Sequence, residues 1–384
     1  MISGNKNYYG GVYLVDGLPF INKSDALLFA SSVNKDVTFY FHDDVYSSYD
    51  WKIPIQSTLP ELYKKRAQQI RDKYDYVSLF FSGGVDSTNI LHSFIDNDIF
   101  LDEIVMHRSE HALKDANIKD RSASNAVSEI VYAAIPHLKE HLKNDKTLVR
   151  SLDMNAAIER ASRDKDFLPE FGSSNYMVAN SYARRAIYVY DDHWNKLYNA
   201  GKTIGHVHGV DKPIINFSKN RCTFQFNDIP RVCCYAASLL GENGSRVASH
   251  QSHEFFYWTP DLPELLIKQC QVVKHLCDAN VGFKLLFTNT HNKTDDKLIA
   301  MVHHIYPPHV NMIRDRFCII KDSLGARSQF SEWFFKTGSS NAIGMFKDLI
   351  QEITPKIHDG FLKEYSSRKE NSDYIIFRSK EYEL

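Results

Sequence analysis

Residues 82–87 read Ser82-Gly83-Gly84-Val85-Asp86-Ser87, and they follow directly on the apolar run Val77-Ser78-Leu79-Phe80-Phe81. A buried strand is thus expected to end in a glycine-rich, hydroxyl-flanked turn, with a helix starting behind it. Two glycines let the backbone turn sharply and bring its N–H groups up to an anion, and the helix that follows aims its positive dipole end at the same point. Ser82 and Ser87 add hydroxyl donors. The stretch lacks the Gly-Lys-Ser/Thr ending of a Walker loop, so no lysine inside it reaches a terminal phosphate. A carboxylate beside phosphates makes sense chiefly as a direct or water-mediated ligand of Mg²⁺, which is the part assigned to Asp86.

From Tyr76 onward the pattern alternates strand, helix, strand, the beat of a parallel α/β sheet. Ile90, Leu91, Phe94 and Ile95 form the inward stripe of the helix after the loop, and Ile104-Val105-Met106 is the next strand. Further on, a helix is predicted over Ala123 to Ala134, a strand at Leu148 to Leu152, a helix over Met177 to Tyr190 and a strand at Thr203 to His208. Upstream, Gly11 to Val15 and Val37 to Phe41 have the β-branched and aromatic content of strands, with an Asp16-Gly17 turn and a short helix over Ser24 to Ser32 between them. The helix Pro60 to Lys73 leads into the sheet. Beyond about residue 255 the chain reads as helical. Asp261 is expected to cap a helix opened by Pro263 and Glu264, His291 to Asp296 reads as a polar loop, and Trp333 to Phe335 with Met345, Leu349 and Ile353 suggest more helix. The division that follows is a β-rich region over 1–58, an α/β nucleotide domain over 59–254 and a mainly helical, substrate-recognising region over 255–384.

The 384 residues, 43% hydrophobic and 24% charged, have the composition of a folded globular chain rather than a disordered one. No apolar run approaches a membrane span and the first residues have no apolar signal core, so a cytoplasmic protein without membrane contact is expected. Six cysteines, Cys222, Cys233, Cys234, Cys270, Cys277 and Cys318, form neither a disulfide framework nor a four-ligand zinc set, and they read as buried, reduced thiols. A net charge of −1 lacks the basic footprint of a protein that grips nucleic acid, which favours a small acceptor over tRNA.

A second stretch, Gly205-His206-Val207-His208-Gly209-Val210-Asp211-Lys212-Pro213, ends a predicted strand with an acid and a base before a proline. As a second wall of the phosphate site, Asp211 would bind Mg²⁺ and Lys212 would neutralise the charge that the lysine-free first loop leaves uncompensated. An ordinary Gly/Pro turn with a surface ion pair fits the same residues. His206 and His208 share one face of that strand, yet no third metal ligand is evident, and packed histidines are the plainer expectation. His303, His304 and His309 stand in the same position. Arg184 and Arg185 offer a guanidinium to a phosphate or carboxylate, one of them facing solvent. Lys64, Lys65, Arg66 and Arg71 read as a solvated helix face.

The loop resembles the signature Ser-Gly-Gly-x-Asp-Ser of the PP-loop ATP pyrophosphatases, the adenine nucleotide alpha hydrolase-like superfamily, at all five specified positions. By chance those five residues coincide on the order of once in a million starting points. The resemblance implies a Rossmann-like fold of the HUP type, with ATP held by Ser82, Gly83, Gly84, Val85, Asp86 and Ser87; Asp211 and Lys212 join them on the reading of the second stretch given above. It also implies cleavage of ATP between its α and β phosphates; with the residue readings above, Mg²⁺ would sit on Asp86 and Asp211 and catalysis would rest on Asp86 and Lys212. Over roughly residues 60 to 300 the chain is similar to the synthetase half of asparagine synthetases, through the helix before the strand, the Leu101-Asp102-Glu103-Ile104-Val105 strand and the helical C-terminal part. Residue 2 is Ile rather than the cysteine of a glutaminase domain, and no Gly-Glu-Gly-Ala-Asp-Glu loop occurs. What the likeness implies is an AMP-forming ligase that adenylates a carboxylate or amide-like oxygen of a small molecule and lets an amine or ammonia displace AMP. Two alternatives stay open: tRNA or nucleobase modification, with Cys222, Cys233 or Cys234 carrying sulfur, and an ATP-binding sensor or subunit without chemistry.

Overall fold

The structure is a computed structural model and describes residues 10–21, 23–108, 130–161, 163, 175–209, 212–213, 215–218, 221–228, 251–288, 294–310 and 377–384. Strand β1 (Val12–Val15) turns through Asp16 and Gly17, at φ of 50° and 82°, into β2 (Leu18–Phe20). Two successive left-handed residues match the twist of a two-residue hairpin, and Val15 accordingly faces Leu18. Helix α1 (Lys23–Val33) carries the chain back to β3 (Val37–Tyr40), which pairs with the other edge of β1 in a three-stranded antiparallel sheet. After the short α2 (Asp43–Tyr46), α3 (Leu59–Lys73) begins at a complete capping box, in which Thr58 and Glu61 satisfy each other's backbone N–H groups.

The central sheet starts with β4 (Tyr76–Phe80), followed by α4 (Val85–Ile95) and β5 (Glu103–Arg108). A π-turn at Ile130–Ala134 runs straight into α5 (Ile135–His141), and β6 (Leu148–Asp153) follows. Helices α6 (Met154–Ala161), α7 (Asn175–Tyr190) and α8 (Asp192–Asn199) then lead to β7 (Ile204–His208). After the hairpin of β8 (Ile215–Ser218) and β9 (Arg221–Phe224), β10 (Gln251–Phe255) closes the five-stranded sheet in the order β10-β7-β4-β5-β6, with every neighbour parallel. The chain thus steps outward from β4 through β5 to β6, then crosses to the opposite side of β4 for β7 and β10. The strand order reverses between β4 and β7, and in open parallel sheets ligands bind in the crevice outside the carboxyl ends of such a pair.

Strand alternation feeds two cores. Val77, Leu79 and Phe81 point to the side of α3 and α4, where Leu62, Ile70, Ile90 and Leu91 are buried. Tyr76 and Phe80 point the other way, onto Ile158, Tyr188 and Trp194 of α6, α7 and α8. Complete burial of Val77 and Leu79 stabilises the sheet by about 1.5–3 kcal/mol each. The sheet also buries charge. Arg150 bonds Glu103 at 2.8 Å, and Trp194 Nε1 donates to the other Glu103 oxygen at 2.7 Å.

Past the sheet, α9 (Pro263–Ala279), α10 (Val281–Thr288) and α11 (Thr294–Ile305) are helical as expected, with Leu266, Cys270, Val273 and Cys277 buried on one stripe. Three details differ. Asp261 does not cap α9, whose N-cap is Leu262; its carboxylate lies 3.1 Å from Lys73 and 3.7 Å from Arg66, because those cations on α3 compete for it. Asp295 and Asp296, placed in a loop by their polarity, lie inside α11. The region also ends in a strand, β11 (Tyr382–Glu383), which pairs with β9 so that β8, β9 and β11 form a third sheet. The helices predicted near Trp333 and Met345, and residues 123–129 of the helix predicted before Ala134, fall outside the described residues.

One buried ion pair corrects the reading of α3 as solvated along its basic face. Arg66 is fully buried and bonds Glu254 Oε2 at 2.5 Å, with Lys73 2.8 Å from Glu254 Oε1 and Tyr74 donating to that oxygen. Burial alone would raise the Glu254 pKa; Arg66 and Lys73 outweigh it and hold the carboxyl down at about 2. Lys64 and Lys65 remain exposed, while Arg71 pairs with Asp102 across to the start of β5.

Candidate functional site

The loop 82–84 lies in the crevice at the reversal point, and the reason for each glycine can be read from its surroundings. Gly83 sits at φ +80°, and a Cβ there would lie 2.7 Å from the backbone nitrogen of Ala134 in the π-turn. Only glycine fits both the conformation and the space. Gly84 is the N-cap of α4 and offers no capping side chain, in contrast to the filled capping box of α3. The N–H groups of Val85, Asp86 and Ser87 are the first three of α4, which no preceding turn can satisfy. Ser87 Oγ, by contrast, organises the loop: it donates to Gly84 O at 3.1 Å and accepts from Ser82 N at 3.3 Å, while Ser82 Oγ accepts from Gly84 N at 3.2 Å. The two hydroxyls stand 3.3 Å apart.

Gly209, immediately after β7, forms the opposite wall. A Cβ on it would meet Ser87 N at 3.2 Å, so the two loops pack backbone to backbone. That proximity lets Lys212, predicted from sequence, bond Asp86 Oδ2 although 126 residues separate them. Both side chains are mostly buried. Asp211, the other residue of the predicted second wall, lies outside the described residues.

Two tyrosines that sequence reasoning missed complete the surroundings of Asp86. Tyr306, one residue past α11, donates to Asp86 Oδ1, and Tyr257, two residues past β10, donates to the Asp86 backbone carbonyl at 2.9 Å and accepts from Asn89 at 3.0 Å. Burial, reinforced by the nearby Asp86 charge, pushes both phenols well above their ordinary range, so each is a neutral donor. Their signal in the sequence is only the run Phe255-Phe256-Tyr257-Trp258 and the tyrosine before Pro307-Pro308.

The histidines of β7 are packed, as the plainer expectation had it. His206 lies opposite His253 of β10 in register, and His208 Nε2 lies 3.0 Å from His253 Nδ1. Burial lowers the pKa of His208 and His253 well below the ordinary range, and Arg184 lowers both further; the same two causes act on His107 at the end of β5. Arg184 is half-buried and Arg185 buried, so neither is the solvent-facing arginine expected. Arg184 therefore puts positive potential at the carboxyl ends of β5, β7 and β10. Cys222, Cys270 and Cys277 are buried free thiols, and burial pushes Cys222 and Cys277 up to about 12. A protonated, buried Cys222 is unsuited to carrying sulfur; Cys233 and Cys234 fall outside the described residues.

Among the described residues no helix is long and apolar enough to cross a membrane. Comparison with protein-family models and with curated proteins found no match to this chain.

Proposed function

We propose that the chain is a PP-loop-type ATP pyrophosphatase that forms AMP while activating an oxygen of a small acceptor. The observation that carries this reading is the coincidence of three things at one point: the reversal of strand order, the uncapped N-terminus of α4, and a loop of the Ser-Gly-Gly-x-Asp-Ser type. The N–H groups at the head of α4 and the hydroxyl of Ser82 would hold phosphate oxygens, with Ser87, which donates to Gly84 O, keeping the loop in shape. The residues also fit Mg²⁺, which commonly binds through one or two carboxylates plus substrate phosphates; Asp86 is that carboxylate, with its Oδ1 fixed by Tyr306. Such an ion supplies charge neutralisation on the phosphates.

Lys212 has the complementary task. Its ammonium, held at Asp86 beside the loop, would neutralise charge developing on departing pyrophosphate. An amine or ammonia then attacks the activated carbon and AMP leaves. Catalysis on this reading is positioning and charge stabilisation by a closed, largely dry wall of Gly209, Tyr257 and Tyr306.

The deciding experiment incubates the protein with Mg²⁺, α-labelled ATP and pooled amino acids, small carboxylates, ammonia and hydroxylamine, and resolves AMP from ADP. AMP with equimolar pyrophosphate is the expected product, and omitting pool members one at a time identifies the acceptor. ADP would overturn the reading. ATP binding without turnover, with tRNA also supplied, would instead favour a sensor.

A further inference from the structure

A second cluster of chemistry-bearing side chains sits at the far end of α4, away from the phosphate loop. His92 on α4 and His137 on α5 face each other with their Nε2 atoms 3.0 Å apart, both nearly fully buried. His141, one turn beyond His137 on the same helix, brings its ring to 4.3 Å from His137 and 5.2 Å from His92, centroid to centroid. The three residues place one ligand nitrogen each within 4.8 Å of the others. Behind them, Asp96 lies 3.0 Å from His92 Nδ1 and 3.2 Å from His309 Nε2.

The geometry points to a transition-metal site, of the kind that takes Zn²⁺, formed by His92, His137 and His141 with Asp96 as the outer carboxylate. Two nitrogens bonded to one tetrahedral zinc at 2.0–2.1 Å stand about 3.3 Å apart, so the His92–His137 pair needs only a few tenths of an ångström of adjustment. A carboxylate on Nδ1 fixes the proton there and turns the bare Nε2 lone pair toward the metal, the arrangement that orients zinc-bound histidines. Burial also lowers the His92 pKa, which keeps the ring neutral and able to ligate. His141 is partly exposed, so solvent reaches the cluster along that side and completes the coordination. Imidazole nitrogens select a borderline metal, whereas the oxygen ligand at Asp86 suits Mg²⁺. His92 lies six residues along α4 from Asp86, about 9 Å at the helical rise, so the ion would be separate from the phosphate site. It would join the end of α4 to α5, with His309 tied in through Asp96, and His309 follows Tyr306 by only three residues.

The test uses the full chain without a histidine tag, stripped with chelator and titrated with Zn²⁺ alone against a competing indicator, alongside thermal unfolding and the visible absorption of a Co²⁺-loaded sample. Expected are one Zn²⁺ per chain, a raised Tm and tetrahedral Co²⁺ bands. His141→Ala, at a partly exposed position, loses all three, and Asp96→Asn binds about 10- to 100-fold more weakly. His304→Ala, on the exposed face of α11, binds as the unmutated chain does, and Asp86→Ala does too, which separates this site from the phosphate site. Absence of stoichiometric uptake, or uptake that His141→Ala and His137→Ala leave unchanged, would overturn the assignment.

Discussion

Asp86 combines two roles that substitution can separate. As an acid in the first turn of α4 it complements the helix dipole, an effect of about 0.3–1 kcal/mol, and it pairs with Lys212 and Tyr306 beside the loop 82–84. Asp86→Ala is therefore expected to abolish Mg²⁺-dependent AMP formation; normal pyrophosphate release by that variant would remove Asp86 from the site. Lys212→Met is expected to lower kcat by about 10²–10³-fold, the usual cost of losing one group aimed at developing charge, with ATP binding reduced far less. Glu254 makes a different prediction. Its folded pKa of about 2 lies below its unfolded value, so its contribution is present above the unfolded pKa and is lost as pH falls through the folded one. Urea titrations from pH 7 to pH 3 should show the unmutated chain losing its advantage over Glu254→Gln as pH falls below about 4.5, by about 2 kcal/mol at pH 3. A constant difference would mean that Arg66 does not hold that carboxylate down.

Helix α4 shows what was legible beforehand and what was not. Its start, its apolar stripe and the strand before it follow from local chemistry, since glycines, hydroxyls and period-3.6 burial act over a few residues. The closeness of Lys212 was also legible, because strand ends in a parallel sheet gather on one side. Tyr257 and Tyr306 were not, since their contacts with Asp86 span 171 and 220 residues and depend on where α9 to α11 dock. The histidine cluster was hidden for the same reason: His92 and His137 are each unremarkable until two helices cross. The misplaced cap at Asp261 shows local preference yielding to a stronger distant charge pair. For the loop itself, Gly83→Ala would force an L-residue to φ +80° and a methyl into Ala134 N, so a loss of at least about 1–2 kcal/mol is expected together with loss of ATP binding. Thr58→Ala, which removes the cap of α3, should cost about 1 kcal/mol by urea denaturation and leave AMP formation unchanged. Equal effects of the two on activity would argue that the loop needs stability rather than shape.

Across the fold, the N-terminal sheet and residues 377–384 are fastened at Asp228. Lys23 Nζ lies 2.6 Å from Asp228 Oδ2, Tyr13 donates to the same oxygen at 3.0 Å, and Phe377 N donates to Oδ1 at 3.2 Å. Lys23 and Asp228 are almost wholly buried, so Asp228→Asn, which leaves the ammonium uncompensated, should cost about 3–5 kcal/mol. A change under 1 kcal/mol in denaturant titration would show that the lysine reaches water instead. None of this was visible in the sequence, where Lys23 and Asp228 are ordinary surface-type residues 205 positions apart. The same fastening sets a timetable for synthesis. Phe226 N bonds Ser379 Oγ across 153 residues, and Tyr382 stacks on Trp51 at 4.7 Å, over the aromatic cluster of Tyr46, Phe224 and Phe226. At about 5–20 residues per second on the ribosome, that cluster waits roughly 8 to 30 s for Tyr382 to be made. During that interval the face of Trp51 that Tyr382 covers is left open, an apolar surface of the kind a chaperone binds, and the third sheet lacks its last strand.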